Sequence, residues 1–189
     1  CLAGFTGHKI RQFPVHTGCA SLGICTWNQE VADVTTTFMK TLGYRGVLDI
    51  GYRLDPRDGK YKVLDINPRV GQAFRLFVGT EGMDVVRALY QDLTGGQVIP
   101  DVPREGRKWM IEDCDLVSSL HYHREGTLGL REWVRSFKGV EEGAWFSWTD
   151  PLPFARVMGR FLRKIVEWLD KKIRNFLPLI RVPRERPSR

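Results

Sequence analysis

Gly43–Arg69 reads GYRGVLDIGYRLDPRDGKYKVLDINPR. Val47–Arg53 and Tyr61–Ile66 are rich in β-branched and aromatic residues, and Asp55-Pro56 and Asp58-Gly59 lie between them as turn signals. The stretch predicts a β-hairpin. Side chains alternate along a strand, so Asp65 and Asn67 share a face, and Asp49 joins them where the register allows. Two carboxylates and an amide oxygen are the hard donors that Mg²⁺ prefers. Like charges on one face repel unless a cation lies between them. Arg69 follows, and a guanidinium suits a phosphate or carboxylate. The competing reading is a surface hairpin with solvated acids.

Working outward, 189 residues at 42% hydrophobic suffice for one ordinary core. No apolar run approaches the roughly 20 residues needed to span a bilayer. Residue 1 is Cys rather than Met, and the chain reads as a fragment of a longer one. Cys1, Cys19, Cys25 and Cys114 have neither zinc-site spacing nor a disulfide framework. A cytoplasmic location is the expectation, with peripheral contact at the inner face of a membrane as a further one. The formal net charge is +7, yet Gly159–Arg189 holds ten basic residues against three acids and carries all of it. Charge therefore describes the C-terminal end and says nothing about the activity of the body.

Upstream of the hairpin, His8–Phe13 predicts a short strand with Lys9 and Arg11 on one face. It runs into Pro14-Val15-His16-Thr17-Gly18-Cys19-Ala20-Ser21, whose small residues let a backbone approach a ligand. Read from residues alone, an ordinary hairpin turn is the stronger account of this loop. Asn28 predicts the cap of a helix over Gln29–Leu42, with Val31, Val34, Phe38 and Leu42 in one stripe and Gly43 ending it. That helix is expected to cover the sheet carrying the acids. Downstream, Val70-Gly71-Gln72 predicts a turn that positions Phe74 and Phe77, and Gly82–Leu93 predicts a helix. Val98–Val102 and Lys108–Ile111 predict short strands, and Leu128–Phe137 a short helix anchored by Trp133. Asp113, Asp115, His121 and His123 raise a second metal site, with the histidines on one strand face, against ordinary polar surface residues. From Phe154 the pattern is a cationic amphipathic helix ended by Pro178, then a basic disordered end, Arg181–Arg189. Packing or protein docking is weighed against peripheral membrane contact through 154–177, and no nucleic-acid module surrounds the basic residues.

The joined pattern LGYRG–VLDI–YKVLDINPR resembles the C-terminal half of the ATP-grasp fold of carboxylate–amine and carboxylate–thiol ligases. PVHTGCAS is similar to the VHTGDS-like loop of the carbamoyl-phosphate synthetase branch. The resemblance covers roughly residues 4–95. It implies ATP and Mg²⁺ as cofactors, with Asp49, Asp65 and Asn67 on the metal, Arg69 at the transferring phosphate or acyl phosphate, and Lys9, Arg11 and His16 on the nucleotide side. Aspartate stands here where the family often has glutamate, which keeps the charge and brings the backbone one methylene closer to a metal.

The expected class is α+β: a C-terminal ATP-grasp subdomain, an antiparallel sheet with packed helices, then a mostly helical basic extension. The expected divisions are 1–98 for the partial nucleotide- and metal-binding domain, 99–150 for a mixed extension or cap, and 151–189 for the amphipathic helix and tail. The implied activity activates a carboxylate as an acyl phosphate and joins it to an amine. Small-molecule carboxylate and amine substrates are the implied partners, together with the N-terminal part of the same fold. The alternatives are a same-fold ATP-dependent carboxylase and a non-catalytic module that docks to a protein or membrane.

Overall fold

β1 (Gly7–Phe13) and β2 (Cys19–Cys25) pair antiparallel across the Pro14–Gly18 loop, with register shifts on either side of Arg11. The computed structural model describes residues 4–176; Cys1, Pro178 and the basic end Arg181–Arg189 lie outside the described residues. β2 pairs antiparallel with β5 (Lys108–Met110), and β5 pairs parallel with β6 (Val140–Gly143). The resulting order is β1-β2-β5-β6. The class is α+β as expected, although β6 makes this sheet mixed rather than antiparallel throughout. Cys25, Leu76, Trp109 and Ile111 form the buried cluster on it, with Ala73, Phe77 and Cys114 packed against them. The Val70–Gln72 turn leads into a single 3₁₀ turn, Phe74–Leu76; Phe77 packs on the core as expected, but Leu76 rather than Phe74 is the residue buried in it.

β3 (Asp49–Asp55) and β4 (Lys60–Asn67) form a separate two-stranded antiparallel sheet. Its turn is built by its own acids. Asp55 accepts from the Arg57 backbone N–H at 3.0 Å, and Asp58 from that of Lys60 at 3.0 Å. Gly59 has φ 68°, the left-handed conformation that favours glycine. The helix α1 (Gln29–Leu42) starts at Asn28, whose side-chain oxygen accepts from the Val31 N–H, and ends at Gly43 with φ 62°. Asn28 also donates through Nδ2 to the Tyr61 hydroxyl at 2.8 Å, and Thr35 shares a 2.7 Å hydroxyl contact with Tyr52. One capping residue therefore both starts α1 and ties it to the hairpin.

α2 (Val85–Leu93) is capped by Asp84, which accepts from Val86 and Arg87. The strand expected over Val98–Val102 does not form. Asp101 instead turns back to accept from the backbone N–H groups of Glu81 and Met83 and from the Thr80 hydroxyl, which holds this segment as a loop. α3 (Glu112–Arg124) replaces the expected strand at His121–His123. Two residues apart on a helix, the histidines face different ways. His123 Nδ1 contacts the Leu128 carbonyl, and Asp115 is buried against Arg11, so the second metal set is not assembled. α4 (Leu130–Ser136) occupies the expected 128–137 stretch, with Trp133 half-buried and stacked edge-on against Phe137.

Arg11 joins these pieces. It is 3% exposed and Asp115 is 1% exposed. Nε and Nη2 donate to the two oxygens of Asp115 at 2.8 and 2.7 Å, and Nη1 donates to Ser136 Oγ at 2.9 Å. Ser21 Oγ and Ser119 Oγ donate to the same carboxylate. β1, β2, α3 and the end of α4 thus meet at one ion pair. Within the stretch 99–150, read from sequence as a mixed extension or cap, β5 and β6 are strands of the main sheet, and one compact unit spans Cys1–Ala144.

A second unit begins at Trp145. Its helix, α5 (Leu152–Phe176), starts two residues before the expected Phe154, with the Leu152 N–H donating to Asp150 and Pro153 in the first turn. Phe146 packs edge-on against Phe154 and Trp148.

Removing one partner of a buried, bidentate pair leaves the other charge uncompensated. Asp115→Ala is expected to cost about 3–5 kcal/mol, read as a drop in the urea midpoint. Arg11→Met combined with Asp115→Leu is expected to recover much of that loss. A single variant as stable as the parent would show that the pair does not hold these elements together.

Candidate functional site

The β3–β4 register decides which side chains share a face. Asp49 lies opposite Asn67 and Gly51 opposite Asp65, so these four positions form one patch. The neighbouring positions, Ile50 and Ile66, are paired on the other face. Tyr52 and Tyr61 reach α1 and its cap, as described above. The two faces of the hairpin are therefore divided between the acidic patch and the attachment to α1. A register shift after Gly51 leaves Leu64 as the extra residue of β4 and changes the pairing beyond the acids.

Within the patch, Asn67 Nδ2 donates to Asp65 Oδ2 at 2.7 Å, and Arg69 Nη2 donates to Asn67 Oδ1 at 3.4 Å. Asp49 has a raised pKa. Burial is the main cause and the nearby Asp65 charge adds to it, while Arg69 and Lys9 pull the other way. Asp65, Arg69 and Lys9 each lie within electrostatic reach of Asp49. Lys9 also donates to the Gly18 carbonyl at 3.3 Å, which connects the patch to the Pro14–Gly18 loop.

Two glycines keep the patch open. A Cβ on Gly51 would stand 2.1 Å from Asp65 Oδ1, and one on Gly71 would stand 2.5 Å from Asp49 Oδ2. Sequence reasoning did not single out either residue. For Gly51 the available signal was a glycine within a strand, two residues after Asp49, because such a glycine marks close approach by another group.

The sequence-derived candidates divide into two groups. Asp49, Asp65, Asn67, Arg69 and Lys9 come together. Arg11 and His16 have other engagements. Arg11 is committed to Asp115 and Ser136 in the interior, so its guanidinium has no free edge to offer a phosphate. The irregular pairing on both sides of it explains why the simple alternation with Lys9 fails. His16, at φ 66°, turns its ring to Glu125 at 3.0 Å and stacks edge-on against Tyr122 of α3. Gly18 permits this tight loop, since a Cβ there would lie 2.1 Å from the Phe13 carbonyl oxygen.

The donor set fits Mg²⁺ in kind: oxygen ligands, two of them anionic, with a carboxylate that burial and a like charge disfavour as an anion. Its third donor is an amide, and among the described residues no three His, Cys, Asp or Glu side chains cluster as a metal site. Burial pushes Cys25 and Cys114 up to about 11, far from a reactive thiolate at neutral pH.

Compared with known proteins, an 88-residue segment is 26% identical to D-aspartate ligase of Enterococcus faecium (strain Aus0004). It covers 46% of this chain and 21% of that protein, so the chain spans about a fifth of that relative's length. No family model matches the sequence, and no solved structure matches the fold.

The raised pKa of Asp49 has a measurable sign. Folding favours its protonated form, a contribution fully present below the ordinary aspartate value of about 3.9 and lost as pH rises through the higher folded value. Ionised Asp49 therefore opposes folding at neutral pH in the absence of a cation. Asp49→Asn is expected to raise Tm by about 1–3 °C at neutral pH without metal. That gain should vanish in acid. Calorimetry over a pH series measures it, and an unchanged or lowered Tm at neutral pH would contradict the described charge balance.

Proposed function

We propose that this chain carries the metal and phosphate side of the active site of an ATP-dependent ligase that joins a carboxylate to an amine. The single observation behind this reading is the convergence of Asp49, Asp65 and Asn67 on one hairpin face, beside Arg69 and Lys9. The ATP-grasp resemblance of the same residues and the similarity to a D-aspartate ligase point in the same direction.

Asp49, Asp65 and Asn67 are the residues to hold Mg²⁺. A bound Mg²⁺ supplies charge neutralisation and a template for the ATP phosphates. Arg69 places a fixed positive charge where negative charge develops on the transferring phosphoryl group. Lys9, anchored by the Gly18 carbonyl, adds a second cation at the loop side of the patch. The preceding half of the fold supplies the opposite wall of the nucleotide cleft.

In the first step, an oxygen of the substrate carboxylate attacks the γ-phosphorus of ATP. The bond to the bridging β–γ oxygen breaks, ADP leaves with that electron pair, and an acyl phosphate forms. In the second, the amine nitrogen attacks the acyl carbon. Inorganic phosphate departs with the electron pair of the broken C–O bond, the nitrogen's proton passes to that phosphate or to water, and an amide remains. The carboxyl groups of the hairpin are committed to the cation and take no part as bases. A neutral amine close to the acyl carbon needs little further activation.

The test is phosphate release from Mg-ATP by the intact protein, with pools of carboxylates and amines supplied together and D-aspartate in the first pool. The expected result is release that requires both pools, with a new amide detected by mass. Arg69→Ala is expected to lower kcat by about 10²–10³-fold. Asp65→Asn is expected to raise the Mg²⁺ requirement by about tenfold or more while leaving the fold intact. Gly51→Ala keeps every charge and displaces the Asp65 carboxylate, so it should produce the same Mg²⁺ phenotype. Turnover unaffected in all three variants would remove the hairpin from the active site.

A further inference from the structure

α5 has a feature that the proposed ligase chemistry does not use. At its start the apolar stripe is covered: Val157 is buried, and Phe154, Met158 and Phe161 are half-buried. From Leu162 to Arg174 every residue is exposed. The stripe does not stop there. Leu162, Ile165, Trp168, Leu169 and Ile173 continue it in steps of three and four, which keeps them on one side of the helix. This stretch runs for roughly 20 Å at 1.5 Å per residue. Trp148 is 91% exposed and stacks on Phe146, which packs on Phe154, so a second indole stands at the N-terminal end of the same stripe.

The opposite side is basic. Arg156, Arg160, Arg163, Lys164, Lys171 and Arg174 occupy it, with Glu167 and Asp170 among them. Asp170 is paired with Arg174, so these two charges offset each other and Arg156, Arg160, Arg163, Lys164 and Lys171 stand against Glu167 alone. Lys172, four residues after Trp168 and so on the stripe itself, carries its ammonium 4.8 Å over the Trp168 ring. Long basic side chains can lay their stems along apolar surface and lift the charge away from it. No described helix is long and apolar enough to cross a membrane.

We propose that α5 docks peripherally on an anionic lipid bilayer, lying parallel to it with the Leu162–Ile173 stripe in the headgroup–acyl boundary. Charge and shape both select this occupant. A nucleic acid would neutralise the arginines and leave Ile165, Trp168 and Leu169 in water. A bilayer takes up both sides at once: acyl chains receive the stripe, and anionic headgroups receive the arginines and lysines. Tryptophan favours that boundary because its ring is apolar and its N–H is polar. This surface is independent of the hairpin, so the test below does not depend on ligase activity.

The full chain is incubated with vesicles of phosphatidylcholine alone and with vesicles of phosphatidylcholine containing phosphatidylserine. Co-sedimentation and the tryptophan emission maximum are then recorded. The expected result is binding to the anionic vesicles at least about tenfold tighter than to the neutral ones, with a blue shift of emission, weakened by added salt. Ile165→Glu with Leu169→Glu is expected to abolish binding, and Arg163→Glu with Lys164→Glu to remove the anionic preference. Circular dichroism checks that each variant is folded. The wild-type lipid and salt dependence stands as a test even if a variant fails to fold. Equal binding to both vesicles, no binding to either, or full binding by the folded Ile165→Glu/Leu169→Glu variant would overturn the proposal. Retention on DNA or RNA without vesicle binding would assign the helix to nucleic acid instead.

Discussion

The ion pair between Arg11 and Asp115 connects parts of the chain 104 residues apart. Both groups are withdrawn from water, so each depends on the other for its charge to be tolerable. The serines around the carboxylate and the Ser136 hydroxyl on the guanidinium complete the set of hydrogen bonds that such a pair requires. This contact locks α3 to the sheet and holds β1 in place. Lys9, two residues from Arg11, then faces the hairpin rather than the interior. The irregular pairing around Arg11 lets one strand send one basic residue inward and another toward the patch.

That same contact explains where sequence reading stopped. α3 buries Asp115, Ser118 and Ser119 rather than an apolar stripe, so hydrophobic periodicity gave no helix over 112–124. Its acids in the first turn and basic residues in the last were the remaining signal, since both suit the helix dipole. Arg11 looked like a phosphate ligand because strand alternation places it beside Lys9. A partner over a hundred residues away cannot be inferred from local pattern. By contrast, α1 was legible at both caps, where Asn28 and Gly43 each fix a local backbone geometry, but not in its stripe, since the expected Val34 and Leu42 are exposed and Met39 is the residue it buries.

The hairpin was legible for similar reasons. Turn acids, a left-handed glycine and β-branched flanks all act within a few residues, and they bring Asp49 opposite Asn67 in the observed register. The role of Gly51 and Gly71 was not, because it lies in the space they leave rather than in a group they contribute. Charge behaved in the same divided way. The +7 of the whole chain conceals a nearly balanced hairpin patch and a strongly cationic α5, two surfaces with different physical demands.

The hairpin forms a sheet of its own and shares no ladder with β1-β2-β5-β6. Two strands alone are marginally stable, so its order is maintained by attachments such as those of Tyr52 and Tyr61 to α1 and its cap. Its amides are thus set to exchange with solvent through a local opening well below the free energy of global unfolding. Affinity at this patch then includes the cost of closing that opening. A substitution at Tyr52 or Tyr61 would then loosen the patch without shifting the global melting transition, and any cation held at the patch would slow exchange in β3 and β4 before it protected a strand of the main sheet.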